Sequence, residues 1–432
     1  MATLILVGGL FLLLLLGVPV AFSLLLSSLA LILWDGKLPL LIVSQRLGNA
    51  LDSFPLLAIP LFILAAEIMN HSGATERIFK LATTVLGRIH GGLGHVNIAA
   101  SMLFSGMSGS AVADAAGLGA IEIKAMKEQG YDPGFSAAVT AASSTIGPIS
   151  TPGTKPARNN SPIVLYGVIS GAAIGELFLA GFVPGVLMGL AMMAYIAVIA
   201  KRRRFPRDPV FAGVAAIGSA FLAAVPSLLL PVIILGGIWG GIMSPTEAAA
   251  AAVFYSLFLG IVIHRSMNLS NVIESFRLSA RSTATIMLIV AAANIYGWLI
   301  STQQIPAVVQ GFLVDITENP TILLMIIAVV LLVMGMFMEL IAILTIAVPV
   351  FLPVAFATGI DPIHFGIVTV LTLMIGLLTP PFGLNLFIVQ QVSGAKYSAI
   401  LKETWPFIFI LIGVLIPIIV FPQISLGILS VF

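Results

Sequence analysis

Residues 106–152 read GMSGSAVADAAGLGAIEIKAMKEQGYDPGFSAAVTAASSTIGPISTP, and residues 335–381 read GMFMELIAILTIAVPVFLPVAFATGIDPIHFGIVTVLTLMIGLLTPP. The two stretches lie on one another at a constant offset of 229 without a gap. Gly106 falls on Gly335, Ala113 on Ala342, Gly130 on Gly359, Asp132-Pro133 on Asp361-Pro362, Thr140 on Thr369, Gly147 on Gly376 and Pro152 on Pro381. Glycine and proline punctuate helices, so what repeats is the positions where helices stop or bend. A membrane chain that repeats its breakers is two copies of one unit, and bound substrates and ions sit where such copies meet.

Composition puts the chain in a lipid bilayer. Hydrophobic residues make up 59% and charged residues 8%, with a mean hydropathy of +1.16, too few charges to cover a water-soluble surface of this size. Runs able to cross about 30 Å of hydrocarbon include roughly 4–33, 54–70, 178–200, 213–239, 245–264, 282–302 and 404–430. The opening run lacks the basic start and small-residue cleavage site of a signal peptide and reads as a retained first helix. The absence of cysteine excludes disulfides and thiol chemistry. A net charge of +2 without a basic and aromatic pattern gives no sign of a nucleic-acid partner.

The distribution of Lys and Arg sets the orientation. If the cluster Lys201, Arg202, Arg203, Arg204 and Arg207 is cytoplasmic, counting spans places Arg265, Arg277, Arg281, Arg77, Lys80, Arg88, Lys124, Lys127, Lys396 and Lys402 on the same side, with only Lys37 and Arg46 outside. The amphipathic stretch 74–90 is then basic and cytoplasmic, whereas its offset partner 303–319 has no Lys or Arg and carries Asp315 and Glu318. The copies are therefore expected to be inverted. Residues 1–200 form the first repeat, 201–212 a cytoplasmic linker, and 213–432 the second repeat plus a C-terminal helix. Both amphipathic stretches are expected to lie at the interfaces.

Each copy holds a stretch too polar and broken for a simple span, about 94–128 with both ends inside and about 320–357 with both ends outside. These are expected to be re-entrant hairpins entering from opposite faces, because irregular backbone at membrane depth is tolerated only against protein or water. The alternative is a pair of ordinary spans, kinked in the second copy at Pro349 and Pro353. The first tip offers Ser105, Gly106, Met107, Ser108, Gly109 and Ser110 with Asp114 following, and the second offers Gly335 to Glu339 with Thr345 following. Small hard cations need several oxygen ligands, and unwound backbone supplies carbonyls; small residues also serve plain helix packing. After each hairpin comes a span that is expected to break, about 134–172 at Ser144-Thr145-Ile146-Gly147-Pro148 and about 362–393 at Gly376 to Asn385, with Thr379, Pro381 and Gly383 between. A simple proline kink is the alternative in both.

Four ordered motifs, Ser108 to Asp114, Ser144 to Pro148, Ser244-Pro245-Thr246-Glu247-Ala248-Ala249 and Thr379 to Asn385, resemble the large membrane (M) subunit of tripartite ATP-independent periplasmic (TRAP) transporters, of the ion transporter superfamily. The resemblance covers essentially the whole chain. It implies an all-α polytopic fold of two inverted repeats, each with a re-entrant hairpin and a broken helix, working as an elevator in the bacterial inner membrane. It also implies coupling to sodium, a small membrane subunit, and a periplasmic binding protein that delivers an organic acid such as a C4-dicarboxylate or sialic acid. Sodium in such proteins lies between a hairpin tip and the following broken helix. The first site is then expected to use Ser108, Ser110, Ser144, Thr145, Gly147 and Pro148, and the second Glu339, Thr345, Gly376, Thr379, Pro381 and Gly383. Candidates for the substrate are Ser108, Gly109, Ser110, Asp114, Arg158, Glu339 and Asn385. Ions would order the hairpins and tighten substrate, and substrate would tighten ions by the same coupling free energy.

The chain departs from the family pattern at 150–160, which is polar and about seven residues longer, and which brings Lys155 and Arg158 near the expected cavity. A charge at membrane depth marks a pathway or ligand, so one reading is a cationic anchor for a carboxylate. The other is a local alteration that damages the first ion site or loops into water. Two other functions fit parts of the chain. Gly106-Met107-Ser108-Gly109 matches the Gly-x-Ser-Gly pattern of intramembrane serine proteases, for which His364 is the histidine best placed. A passive channel suits the hairpins less well, since no ring of charge is present.

Overall fold

Gly17 and Pro19 divide the opening apolar run. A π turn, Leu4–Gly8, leads into α1 (Gly9–Leu15), Gly17 takes a φ of 80°, and α2 (Val20–Asp35) starts after Pro19. The single first helix expected over 4–33 is instead two short helices packed together. Proline has no N–H for the preceding turn, and glycine adopts the left-handed backbone without strain. The computed structural model describes residues 2–36, 38–51, 58–108, 111–146, 162–206, 213–338, 340–380 and 383–430. These are helical throughout apart from turns and short connections, and seven of the described helices are long and apolar enough to cross a bilayer.

After α3 (Leu41–Leu51), α4 (Ala58–His71) and α5 (Ala74–Leu86) come the helices of the first hairpin, α6 (Gly92–Ser108), α7 (Ala111–Ala116) and α8 (Leu118–Glu128). Next are α9 (Pro133–Ser143), α10 (Pro162–Ser170) and α11 (Ile174–Arg202), then α12 (Gly213–Trp239), α13 (Pro245–Phe258), α14 (Leu269–Thr302) and α15 (Ile305–Ile316). The second hairpin is α16 (Pro320–Phe337) and α17 (Leu340–Ala357), followed by α18 (Pro362–Gly376), α19 (Leu384–Ser393), α20 (Tyr397–Val420) and α21 (Gln423–Leu426). The last run ends at Val420 and not near 430, because Phe421-Pro422 turns the chain.

The offset of 229 reappears in the helix bounds. Gly92–Ser108 matches Pro320–Phe337 to within one residue, α7 and α8 together match α17, and Pro133 matches Pro362. Beyond the breaks the offset becomes 222, from Pro162 to Leu384, so the repeat itself measures the extra polar length at 150–160 as seven residues. Conserving Asp-Pro across both copies has a local cause. Asp132 accepts from the Phe135 N–H at 2.9 Å, and Asp361 from Ile363 at 2.8 Å and His364 at 3.2 Å, each with proline at the first helical position. Ser244-Pro245-Thr246-Glu247 is a capping box that starts α13, the Ser244 N–H reaching Glu247 at 2.7 Å.

Two groups of helices pack within themselves. In one, α4 lies on α13 and α14, α5 on α12, and α2 and α3 on α14; in the other, α16 lies on α18, while α8, α19 and α20 lie on α9 and α11 on α20. The groups meet where α5 touches α6 and where α14 and α15 touch α17. At one end, Tyr131 donates to the Pro206 carbonyl at 3.1 Å, Arg203 pairs with Glu403, and Lys127 donates to the Ser393 carbonyl at 3.0 Å. All of these belong to segments that the charge pattern assigns to the cytoplasm. Burial pushes the Tyr131 phenol up to about 12, which keeps it a neutral donor.

Inside the second group, Tyr166 of α10 is wholly buried, donates to the Pro362 carbonyl, and rests its ring where a Cβ on Gly366 would come within 2.3 Å. Gly366→Ala is expected to displace the ring and cost about 1–3 kcal/mol, read as a lowered thermal midpoint in detergent. Tyr166→Phe, which loses only the hydrogen bond, should cost about 1 kcal/mol.

Candidate functional site

The first hairpin is bound to α9 by side chains. Asn97 of α6 donates to Thr140 at 2.6 Å, Ser143 donates to Asn97 Oδ1 at 2.7 Å, and Ser101 meets Ser143 at 3.0 Å, all buried. At the offset of 229 the second copy has Ile326, Thr369, Val330 and Thr372, and there the hairpin is held by backbone proximity. A Cβ on Gly335 would stand 2.9 Å from the Gly376 Cα, and one on Gly376 would stand 2.7 Å from the Gly335 Cα. Both glycines are therefore needed for the tip to reach the break.

Four expected ion-site hydroxyls share one arrangement. Ser144 donates to the Ala141 carbonyl at 2.9 Å, Thr145 to Ala142 at 2.7 Å, Thr345 to Ala342 at 2.9 Å and Thr379 to Ile375 at 2.7 Å. A hydroxyl has one proton. With it committed to the preceding turn, each of these buried groups shows only lone pairs to its surroundings, in both copies. Gly383 holds a left-handed φ of 52°, and a Cβ there would lie 2.9 Å from Leu386 Cδ1; the chain can turn into α19 because the residue is glycine.

Asn385 connects the copies. Its Nδ2 donates to Ser144 Oγ at 3.2 Å, and its backbone N–H to the Leu377 carbonyl at 3.2 Å. Because the Ser144 proton already serves Ala141, the amide must donate there, and this turns Oδ1 away. That oxygen is fully buried with no hydrogen-bond partner among the described residues. Asn385 was grouped by sequence with the second break; the structure joins it to the first. The reason is topological, since α19 packs on α7, α8 and α9 of the first copy while α10 packs on α17 and α18 of the second. Each broken helix completes itself against the other copy's hairpin.

Ser108 closes α6. Gly109, Ser110, Gly147, Pro148, Arg158, Glu339 and Pro381, with the polar stretch 150–160, lie outside the described residues. Asp114 on α7 is buried, and close enough to repel it electrostatically is Glu122 on α8, which sequence reading passed over. The Glu122 carboxyl is 1% exposed and neither oxygen has a hydrogen-bond partner among the described residues. Its spacing of eight residues from Asp114 was the available signal. An ionised carboxyl so placed is costly, so Glu122→Gln should leave the thermal midpoint equal or higher and uptake within about twofold. Among the described residues no three His, Asp or Glu side chains gather into a metal-ligating group; the oxygens assembled here are neutral hydroxyls, an amide and carbonyls. His364, considered above as a protease base, is hydrogen-bonded through Nδ1 to Ser425 at 2.8 Å.

Residues 7–424 match the family described as tripartite ATP-independent periplasmic transporter, DctM component. The chain is 42% identical over 413 residues to the sialic acid TRAP transporter large permease protein SiaM of Vibrio cholerae, covering 95% of this chain and 94% of that one. It is 37% identical over 382 residues to the C4-dicarboxylate TRAP transporter large permease protein DctM of Pseudomonas aeruginosa, covering 88% of each. Among solved structures, the YdaH transporter of Alcanivorax borkumensis superposes with a TM-score of 0.64 over 89% of this chain and 88% of that one, at 16% identity, a likeness of fold.

Proposed function

The chain belongs to the DctM-component family of tripartite ATP-independent periplasmic transporters, and on that premise we propose that it carries an organic acid, a carboxylate such as sialic acid or a C4-dicarboxylate, into the cell in exchange for the energy of a sodium gradient. It is a multi-pass membrane permease and not an enzyme. Its partners in this reading are a small membrane subunit in the bacterial inner membrane and a periplasmic binding protein that hands over the substrate.

The observation that carries the sodium reading is the pairing of breaks through Asn385. An orphaned buried amide oxygen costs about 1–3 kcal/mol, and a hard cation there offsets it. The lone-pair faces of Ser144 and Thr145 in one copy, and of Thr345 and Thr379 in the other, provide the neutral oxygen environment such a cation takes. Inverted repeats and re-entrant hairpins are supported by depth. Gly335, three residues from its tip, touches the break at Gly376, and the chain beyond the break still has the ten-residue helix Leu384–Ser393 to run. On this reading the tip stops short of the far face. Elevator movement is supported by the division into two groups, with the hairpins and broken helices in one and α1–α5 with α12–α14 in the other; α15 bridges them.

The test is uptake of labelled sialic acid or C4-dicarboxylate into proteoliposomes holding the chain, its small subunit and the loaded binding protein. Accumulation above the outside concentration that needs an inward sodium gradient is expected. Uptake undiminished without sodium, or only equilibration down the substrate gradient, refutes coupling.

A further inference from the structure

A cavity of about 540 Å³ lies between α3, the last turns of α14, the end of α10 and the second limb of the second hairpin. Its lining includes Arg46, Asn49, Asn294, Ser301, Trp298 and Pro349, and Arg46 is the one charged side chain among the described residues that line it. The Arg46 guanidinium stands over the Trp298 ring, 4.9 Å from its centroid, and among the described residues no carboxylate pairs with it. An aromatic face beneath a guanidinium holds the plane in place while leaving its N–H edges free. Arg46 is thus a positioned, half-buried cation with no counter-ion among the described residues, facing a space within the range that small-molecule sites occupy.

The four walls also agree in depth. Arg46 falls outside by the charge count, and the C-terminal ends of α10, α14 and α17 are outer ends in the same count. The cavity therefore opens at the face where substrate arrives. One wall, Pro349, belongs to the hairpin group, and the opposite wall belongs to α14 of the other group; a Cβ on Gly297 would already lie 3.4 Å from Pro349 Cγ, so the cavity changes shape if the groups slide.

We propose that Arg46 is the outer anion-recognition residue of this permease, taking the carboxylate of the arriving organic acid through paired N–H donors, with Asn49, Asn294 and Ser301 bonding its polar remainder. The proposal rests on the uptake reading above and names where in the chain the acid is first held. Arginine at a bidentate site is not replaceable by lysine without loss.

Two measurements test it. In the reconstituted three-component system, R46Q is expected to raise the half-saturating concentration of loaded binding protein about tenfold, with R46K between it and the parent and with the half-saturating sodium concentration unchanged. An R46Q curve equal to the parent's, or one lowered only in maximal rate, overturns the proposal. Independently of whether R46Q folds, a chain with Arg46 intact and Trp34→Phe, Trp239→Phe and Trp405→Phe leaves Trp298 as its only tryptophan. Its emission should change on titration with sialic acid or succinate and should not change with an uncharged sugar; equal responses to both, or none, overturn the proposal. A parent chain that shows no sodium-dependent uptake refutes the coupling reading instead, and the Trp298 titration still decides for or against Arg46.

Discussion

Gly376→Val is expected to abolish sodium-driven uptake, lowering the initial rate by about 100-fold or more, because displacements on the order of 1 Å at a working site have effects of that size. A valine there places three carbons where the Gly335 backbone now lies, since even its Cβ would be 2.7 Å from the Gly335 Cα. Backbone cannot rotate away as a side chain does. The hairpin tip must lift off the break, and overpacking of this kind costs about 1–3 kcal/mol or more in stability as well. Gly413→Val on α20 provides the control, because a Cβ at Gly413 meets nothing within 4 Å. Uptake and thermal midpoint measured on both variants decide the matter: a Gly376→Val protein that transports like Gly413→Val shows that tip and break need not touch.

Asn385→Leu is expected to raise the half-saturating sodium concentration by about tenfold or more. Leucine branches at the same carbon as asparagine, though it is bulkier, and it has neither the amide donor to Ser144 nor the buried, unpartnered Oδ1. Ser144 then loses the Asn385 donor, and on the sodium reading a cation beside Asn385 loses a neutral oxygen. Ser144→Ala should do less, because it removes one hydroxyl while leaving Oδ1 free to turn, and the double variant should show a coupling energy of about 0.5–3 kcal/mol if the two act as a unit. Sodium also offers a readout free of transport: a ligand that binds only the folded state raises the thermal midpoint with concentration. The parent should show that rise and Asn385→Leu a much weaker one. Identical sodium dependence in both sinks the assignment.

Much of this architecture was legible because helix breakers are local. Asp-Pro caps and the amphipathic arms 74–90 and 303–319 state their structure in a few residues, and they recur as the starts of α9 and α18 and as the helices Ala74–Leu86 and Ile305–Ile316. The opening run was misread for the opposite reason, since apolar length drowned the two-residue signal of Gly17 and Pro19. What the sequence could not display is which remote residues meet. Asn385 reads as part of the break it follows, yet its partner Ser144 is set by α19 crossing to the other copy. Arg46 read only as an outer charge, because nothing near it in the chain announces Trp298, and Glu122 was hidden in a helix whose other charges face outward.

The crossing of the broken helices also governs when the permease can come into being. Ser144 and Asn385 are 241 residues apart, and the first hairpin gains the helix that packs on its α7 and α8 limb only when Leu384–Ser393 has been made. Closing so long a loop slows the late step of folding. Until then the polar residues of the first break must wait in the membrane without the amide that will meet them. A nascent chain stopped before α19 therefore holds every residue of the first copy and still lacks the Asn385 amide that meets Ser144, so the first copy cannot complete its own packing.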